Sequence, residues 1–100
     1  MSVRNCKAKG SRAEHRCMRI LEAAGYACTR AAASLGVFDV VGVGPLGTRL
    51  VQVKSNRWPG TLEMEAIELF PVHALCTKEV WRFNDRQRVP MIRVIGKGEV

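Results

Sequence analysis

Apolar residues recur with a helical period early in the chain: Ala13, Cys17, Ile20, Leu21 and Ala24 fall at i, i+4, i+7, i+8 and i+11, one stripe of an amphipathic helix. Arg12, Arg16 and Arg19 take its other sides. Ser11 with Glu14 three residues on reads as a capping box opening that helix, and Gly25 stands where a helix is commonly closed. Residues 26–30 then suit a short strand and 31–36 a small-residue connection. Two strands follow at 37–43 and 48–54, with Gly42, Gly44, Pro45 and Gly47 marking the turn between them. After a loop at 55–60, Thr61 serves as N-cap of a second helix. Glu63 and Glu65 suit the positive end of its dipole, Leu62, Ala66, Leu69 and Phe70 give it one apolar face, and Pro71 ends it. Apolar runs at 72–77, 80–83 and 89–95 read as strands, with a turn at 84–87 and Pro90 assigning the last to an edge. The order is αβββαβ plus one or two strands, an α/β class of fold.

Ionisable groups inside two of those strands change the picture. A strand alternates faces with period two, so Asp39 and Val41 share a side, as do Leu50, Gln52 and Lys54. If the hairpin is symmetric about Pro45 and Leu46, Asp39 lies opposite Gln52. An acid, an amide and a lysine then converge. Aspartate is depleted in strands and expensive to bury unpaired, which favours a ligand role for Asp39 over a strand-end carboxylate satisfied by an arginine or a backbone N–H. Gln52 offers either a neutral carbonyl oxygen to a cation or a hydrogen bond across the sheet. Lys54 is either a charge beside a reacting group or a lysine at the strand end in solvent.

One hundred residues, 47% hydrophobic and 25% charged, bound the chain to one small globular domain. We place it at 11–95, behind a flexible basic arm at 1–10 and before a tail at 96–100. No apolar stretch approaches the roughly 20 residues that span a bilayer, and the first residues lack a signal-peptide core. The expectation is therefore a cytoplasmic protein with no membrane partner, or one of the host cytoplasm if the source is viral. Cys6, Cys17, Cys28 and Cys76 show no C-x-x-C spacing, so the last three read as buried thiols. Sixteen basic against nine acidic residues leave a net charge of +7, which points to a polyanion, with nucleic acid first. The candidate contacts are Lys7, Lys9, Arg12, Arg16, Arg30, Asn56 and Arg57, with Trp58 available for stacking.

The pattern Asp39-x(12)-Gln52-x-Lys54, with Glu14 on an upstream helix, resembles the PD-(D/E)XK nuclease superfamily, with Phe38 in place of the usual Pro and Gln52 in place of the second acid. Lys9-Gly10-Ser11-x-x-Glu14, Gly25-Tyr26 and Arg30-x(3)-Ser34 look like the archaeal-type Holliday-junction resolvases, with His15 where that family often has Arg. The resemblance covers Lys9 to Lys54. It implies a restriction-endonuclease-like core, a central mixed sheet flanked by helices. It also implies catalytic roles for Glu14, Asp39, Gln52, Lys54 and Ser34, helped by Arg30. The ion is expected to be Mg²⁺, with Mn²⁺ as the alternative, on Asp39, Gln52, the Val53 carbonyl and Glu14. Function follows as cleavage of four-way DNA junctions in recombination and repair by a homodimer, since two symmetric cuts need two sites. Val80-Trp81-Arg82-Phe83 and Met91-Ile92-Arg93-Val94 are its candidate interface. A D…Q-x-K pattern is similar also to Mrr-type nucleases, so a nuclease of linear duplex and a non-catalytic DNA-binding module of the same fold remain as alternatives.

Overall fold

The structure, a computed structural model, describes residues 2–31 and 36–97, with side chains for 11–31 and 36–96. Helix α1 (Ser2–Ala23) leads into β1 (Ala27–Arg30), β2 (Val40–Gly44) and β3 (Gly47–Ser55); α2 (Thr61–Leu69) then crosses to β4 (Cys76–Phe83) and β5 (Met91–Lys97). The five strands form one sheet in sequence order. β3 and β4 are parallel, joined by the α2 crossover, and every other neighbouring pair is antiparallel. The expected α/β class and mixed sheet are what the chain adopts.

α1 closes as its sequence predicts. Gly25 takes a positive φ of 97°, and the Tyr26 N–H returns to the Leu21 carbonyl at 3.0 Å, the bonding of a Schellman end. Its start differs: the helix begins at Ser2, nine residues before the expected cap. Once a helix is nucleated each further residue adds a bond without needing an apolar face, so the basic segment continues it. Ser11 is thus mid-helix, no capping box forms there, and Glu14 is left free for other partners.

The Gly44 to Gly47 turn sets everything downstream. Gly47 has φ 154°, and a Cβ built on it would lie 2.2 Å from the Leu75 carbonyl oxygen, to which the Thr48 N–H donates at 2.8 Å. β3 can therefore meet β4 only from Thr48, which pairs with Cys76. That is why the apolar run at 72–77 is not a strand of its own: before Cys76 it forms only an isolated bridge at His73, and β4 instead runs unbroken to Phe83. β5 likewise begins at Met91, just after Pro90, and lies at the sheet edge as expected.

Two apolar layers enclose the sheet. Ala13, Cys17 and Leu21 of α1 pack on Val40, Val51, Trp81 and Phe83; on the opposite face Ile67 of α2 joins Phe38, Leu50, Cys76 and Val80. The face that α2 buries differs from the expected one. Ile67 is fully buried and Met64 and Phe70 pack beside it, whereas Leu62 and Leu69 are 81% and 75% exposed. Its N-cap is Gly60, whose carbonyl accepts from the Met64 N–H, rather than Thr61. Lys78, buried, donates to the Glu68 and Phe70 carbonyls at 2.7 and 2.9 Å, capping the far end of α2 and tying it to β4. Val80, Trp81 and Phe83 are core residues, so that stretch of the expected dimer interface is closed to a partner. The thiols of Cys17 and Cys76 are buried and that of Cys28 half-buried; burial first, then nearby Cys28 and Glu79, push the Cys17 thiol up to about 12.

A buried charge anchors the α1 face. Glu79, 2% exposed, accepts from Arg49 Nε and Nη2 at 2.8 Å each, from Trp81 Nε1 at 2.8 Å, and from the Thr77 hydroxyl. The Arg49 guanidinium also lies over the rings of Tyr26 and Trp81. Burial opposes ionisation of Glu79, but the hydrogen bonds and the Arg49 charge outweigh it and hold the carboxyl below its ordinary value. A carboxyl lowered in this way adds stability above its unfolded value and loses it as pH falls through the folded one.

Glu79→Ala leaves a half-buried Arg49 and a buried Trp81 Nε1 without their partner and is expected to lower stability by about 3 kcal/mol in urea titrations at neutral pH. The gap to wild type should narrow as the pH drops below 4.5, the ordinary value of that carboxyl. A change within experimental scatter at neutral pH contradicts the anchoring role. Gly47→Ala forces a Cβ against the Leu75 backbone and should lower stability by about 1–3 kcal/mol or more; a neutral result would mean that the turn is not constrained as described.

Candidate active site

The hairpin register places the acid and the amide as the symmetry of the turn predicts. Val40 pairs with Val51, so Asp39 and Gln52 are the next positions outward. β2 is shorter than expected because the ladder gives way at Asp39. The Asp39 N–H still donates to the Val51 carbonyl and its carbonyl accepts from the Ala31 N–H, both at 2.8 Å. Its side chain, however, replaces the next backbone partner: Val53 N–H donates to Asp39 Oδ2 at 2.8 Å. Val53, expected to offer its carbonyl, also gives its amide to Asp39. Phe38, one residue back, turns inward and packs edge to face on Phe70, with ring centroids 5.1 Å apart.

Gln52 is 5% exposed, and Lys54 stands two residues on along the same face of β3. Both meet a residue that sequence reading assigned only to a helix dipole. Glu63, in the first turn of α2, accepts from Lys54 Nζ at 3.2 Å through Oε1 and from Gln52 Nε2 at 3.4 Å through Oε2. Gln52 Oε1 is buried with no hydrogen-bond partner among the described residues. The amide orientation follows from the carboxylate: turned over, it would set its oxygen against Glu63.

Glu14 approaches from the α1 side. Its Oε1 accepts from Arg30 Nε at 2.9 Å and pairs with Arg30 Nη2 at 2.8 Å. Arg30, expected to hold phosphate, thus has a carboxylate to neutralise it. Asp39 feels all of these groups. Partial burial pushes its carboxyl above the ordinary value of 3.8; the Val53 hydrogen bond opposes this, Glu14 and Glu63 add to it, and Lys54 works against it. Negative charge is therefore concentrated around a half-buried carboxyl, a field that a cation would relieve.

Oxygen donors suit a hard divalent ion. Asp39 Oδ2 holds the Val53 amide, nothing else among the described residues donates to that carboxylate, and the orphaned Gln52 oxygen lies in the same region. These residues fit Mg²⁺ or Mn²⁺. Among the described residues no three His, Cys, Asp or Glu side chains form a group that could hold a metal ion. Ser34, assigned a catalytic role by resemblance, lies outside the described residues.

The expected nucleic-acid contacts divide. Arg12 and Arg16 line a cleft with Arg86, Asn84 and Ser55 at the end of β3. Arg16 is held there, its Nη2 donating to the Gln87 and Arg88 carbonyls and its guanidinium 4.9 Å from the Phe83 ring centroid. Asn56 is exposed in a turn: its φ is 65°, and its Oδ1 accepts from the Asp85 N–H at 2.8 Å. Arg57 is exposed beside Trp58, whose ring carries the guanidiniums of Arg82 at 4.7 Å and Arg93 at 4.2 Å. Sequence reading did not pick out that pair as a surface. Lys7 and Lys9 lie on the first turns of α1, and their side chains are not described. No helix among the described residues is long and apolar enough to cross a membrane.

No family model and no curated protein matches the chain. Among solved structures it is similar to Hjc of Archaeoglobus fulgidus, a Holliday junction resolvase from an archaeal hyperthermophile. The TM-score is 0.69 over 87% of this chain and 73% of that one, at 21% identity. At that identity the likeness is one of architecture, and the chain has the restriction-endonuclease-like α/β fold of that protein.

Proposed function

We propose that this chain is a metal-dependent endodeoxyribonuclease that cuts four-way DNA junctions, with Asp39, Gln52 and Lys54 at its centre. The observation that carries the reading is Gln52 Oε1, a buried acceptor with no partner beside a carboxylate that burial disfavours. Both groups are costly to keep unless something cationic joins them. Asp39 and Gln52 are the residues that would hold Mg²⁺, with Mn²⁺ as the alternative. A bound ion of this kind relieves charge on the phosphate and makes a water more acidic. The Val53 amide fixes the Asp39 rotamer, and the Lys54 ammonium offsets negative charge as the phosphorus–oxygen bond breaks. Glu14, held by Arg30, orders the α1 side of the same pocket.

A net charge of +7 and the clustered arginines at Arg12, Arg16 and Arg86 support a nucleic-acid substrate. The likeness to Hjc supports a branched one. Met91, Ile92 and Val94 on the β5 edge are 46%, 44% and 56% exposed, which suits a homodimer that brings two sites to one junction. The neutral side chain at Gln52 favours one other reading, a DNA-binding module of this fold that does not cut.

Cleavage of a labelled four-way junction, against linear duplex and single strand, in Mg²⁺ or EDTA, tests the proposal. Paired nicks near the crossover are expected, abolished by EDTA and reduced about a hundredfold or more by Asp39→Asn. Junction binding without metal-dependent cutting would support the non-catalytic module, and preferential cutting of linear duplex would move the substrate to the Mrr-like class.

The same variant has a stability signature. Because the Asp39 carboxyl titrates above its unfolded value, its ionised form opposes folding at neutral pH and protonation relieves it. Asp39→Asn keeps an oxygen for the Val53 amide and should raise the thermal midpoint at neutral pH. The gain should shrink with falling pH and close below 3.8, where wild type is protonated in both states. A midpoint no higher than wild type at pH 7 would contradict the electrostatic description.

A further inference from the structure

We infer that Glu63, carried on α2 rather than on the sheet, supplies the acidic ligand that Gln52 does not. This rests on the metal-dependent reading above and assigns one more oxygen to its cation. Gln52 brings an acceptor without a charge, so a site built on Asp39 and Gln52 alone would hold a divalent ion with a single carboxylate. Affinity for hard cations rises with the number of charged ligands. Glu63 restores the missing charge at the same place, because the Gln52 amide itself reaches it: Nε2 donates to Glu63 Oε2.

That contact also aims the amide. With Nε2 turned to the carboxylate, Oε1 is directed elsewhere and remains unpartnered in a side chain that is 95% buried by virtue of its 5% exposure. Glu63 therefore orients one candidate ligand while offering a second. Its other oxygen accepts from Lys54, so one carboxylate links the amide and the lysine of the Q-x-K pair. The Glu63 side chain is 45% exposed, which leaves its carboxylate room to meet an ion.

The competing role is structural. Glu63 occupies the third position of α2, and its Oε1 lies 3.4 Å from the Gly60 N–H, the reach of a capping side chain. Glu63→Gln keeps an acceptor for that N–H and so preserves the helix start, while removing the charge. Glu65→Gln removes a charge from the exposed side of the same helix and serves as control.

The test is isothermal titration of the full chain with Mn²⁺ alone, for wild type, Glu63→Gln, Glu65→Gln, Gln52→Glu and the exchange variant Gln52→Glu/Glu63→Gln, with far-UV circular dichroism to confirm folding. Glu63→Gln should weaken Mn²⁺ binding about tenfold or more, and Glu65→Gln should leave it near wild type. The exchange variant, which returns the acid to the strand, should recover most of the loss. Unchanged affinity in Glu63→Gln, or a loss no larger than that of Glu65→Gln, would overturn the assignment. So would failure of the exchange variant to recover any affinity while folded. Wild type that binds no Mn²⁺ would overturn both the assignment and the metal-dependent reading. Metal binding that depends on Glu63 in a chain that cuts no DNA would keep the ligand and remove the nuclease.

Discussion

The hydrogen bond from the Val53 N–H to Asp39 Oδ2 joins two strands at the point where their ladder stops. A backbone carbonyl would otherwise take that amide, so the side chain stands in for main chain and is fixed as firmly as the sheet around it. The arrangement depends on register. Shifting β2 against β3 by one residue would send Asp39 to the α1 face and part it from Gln52 and Lys54. The register depends in turn on the turn at Pro45 and Leu46 and on Gly47, the residue that lets β3 start against Leu75 without a side chain in the way.

A buried and a half-buried carboxylate illustrate opposite uses of burial. Glu79 is met by Arg49, Thr77 and Trp81, which together overcome its desolvation and hold it ionised. It locks the β3–β4 pair from the α1 side. Asp39 has one donor and two carboxylates near it, and its charge is disfavoured. The fold is satisfied at the first and left incomplete at the second. Incomplete satisfaction beside an orphaned amide oxygen is the physical signature of a place where an ion or substrate group finishes the network.

Much of this was legible in the chain because it rests on local rules. The α1 stripe, its Gly25 end and the Asp39–Gln52 juxtaposition follow from periodicity and turn symmetry. What was not legible depends on partners far apart in sequence. The run at 72–77 has strand composition, but whether it pairs is decided by where β3 begins. Leu62 and Leu69 match a helical face as well as Ile67 does, and only the position of the sheet selects Ile67. Arg30 pairs with Glu14 across two elements, which no spacing rule reveals. Glu63 could have been anticipated: a right-handed crossover from β3 returns α2 over the sheet, so an acid in its first turn falls near the end of β3, where Lys54 lies.

As proposed, Asp39, Gln52 and Glu63 form one cation site although only two of them are acids. Crystals grown or soaked with Mn²⁺ test it most directly through anomalous scattering. A single strong anomalous peak contacting Asp39, the Gln52 amide oxygen and Glu63 is expected. A peak bound away from these three, or none at saturating Mn²⁺, would contradict it.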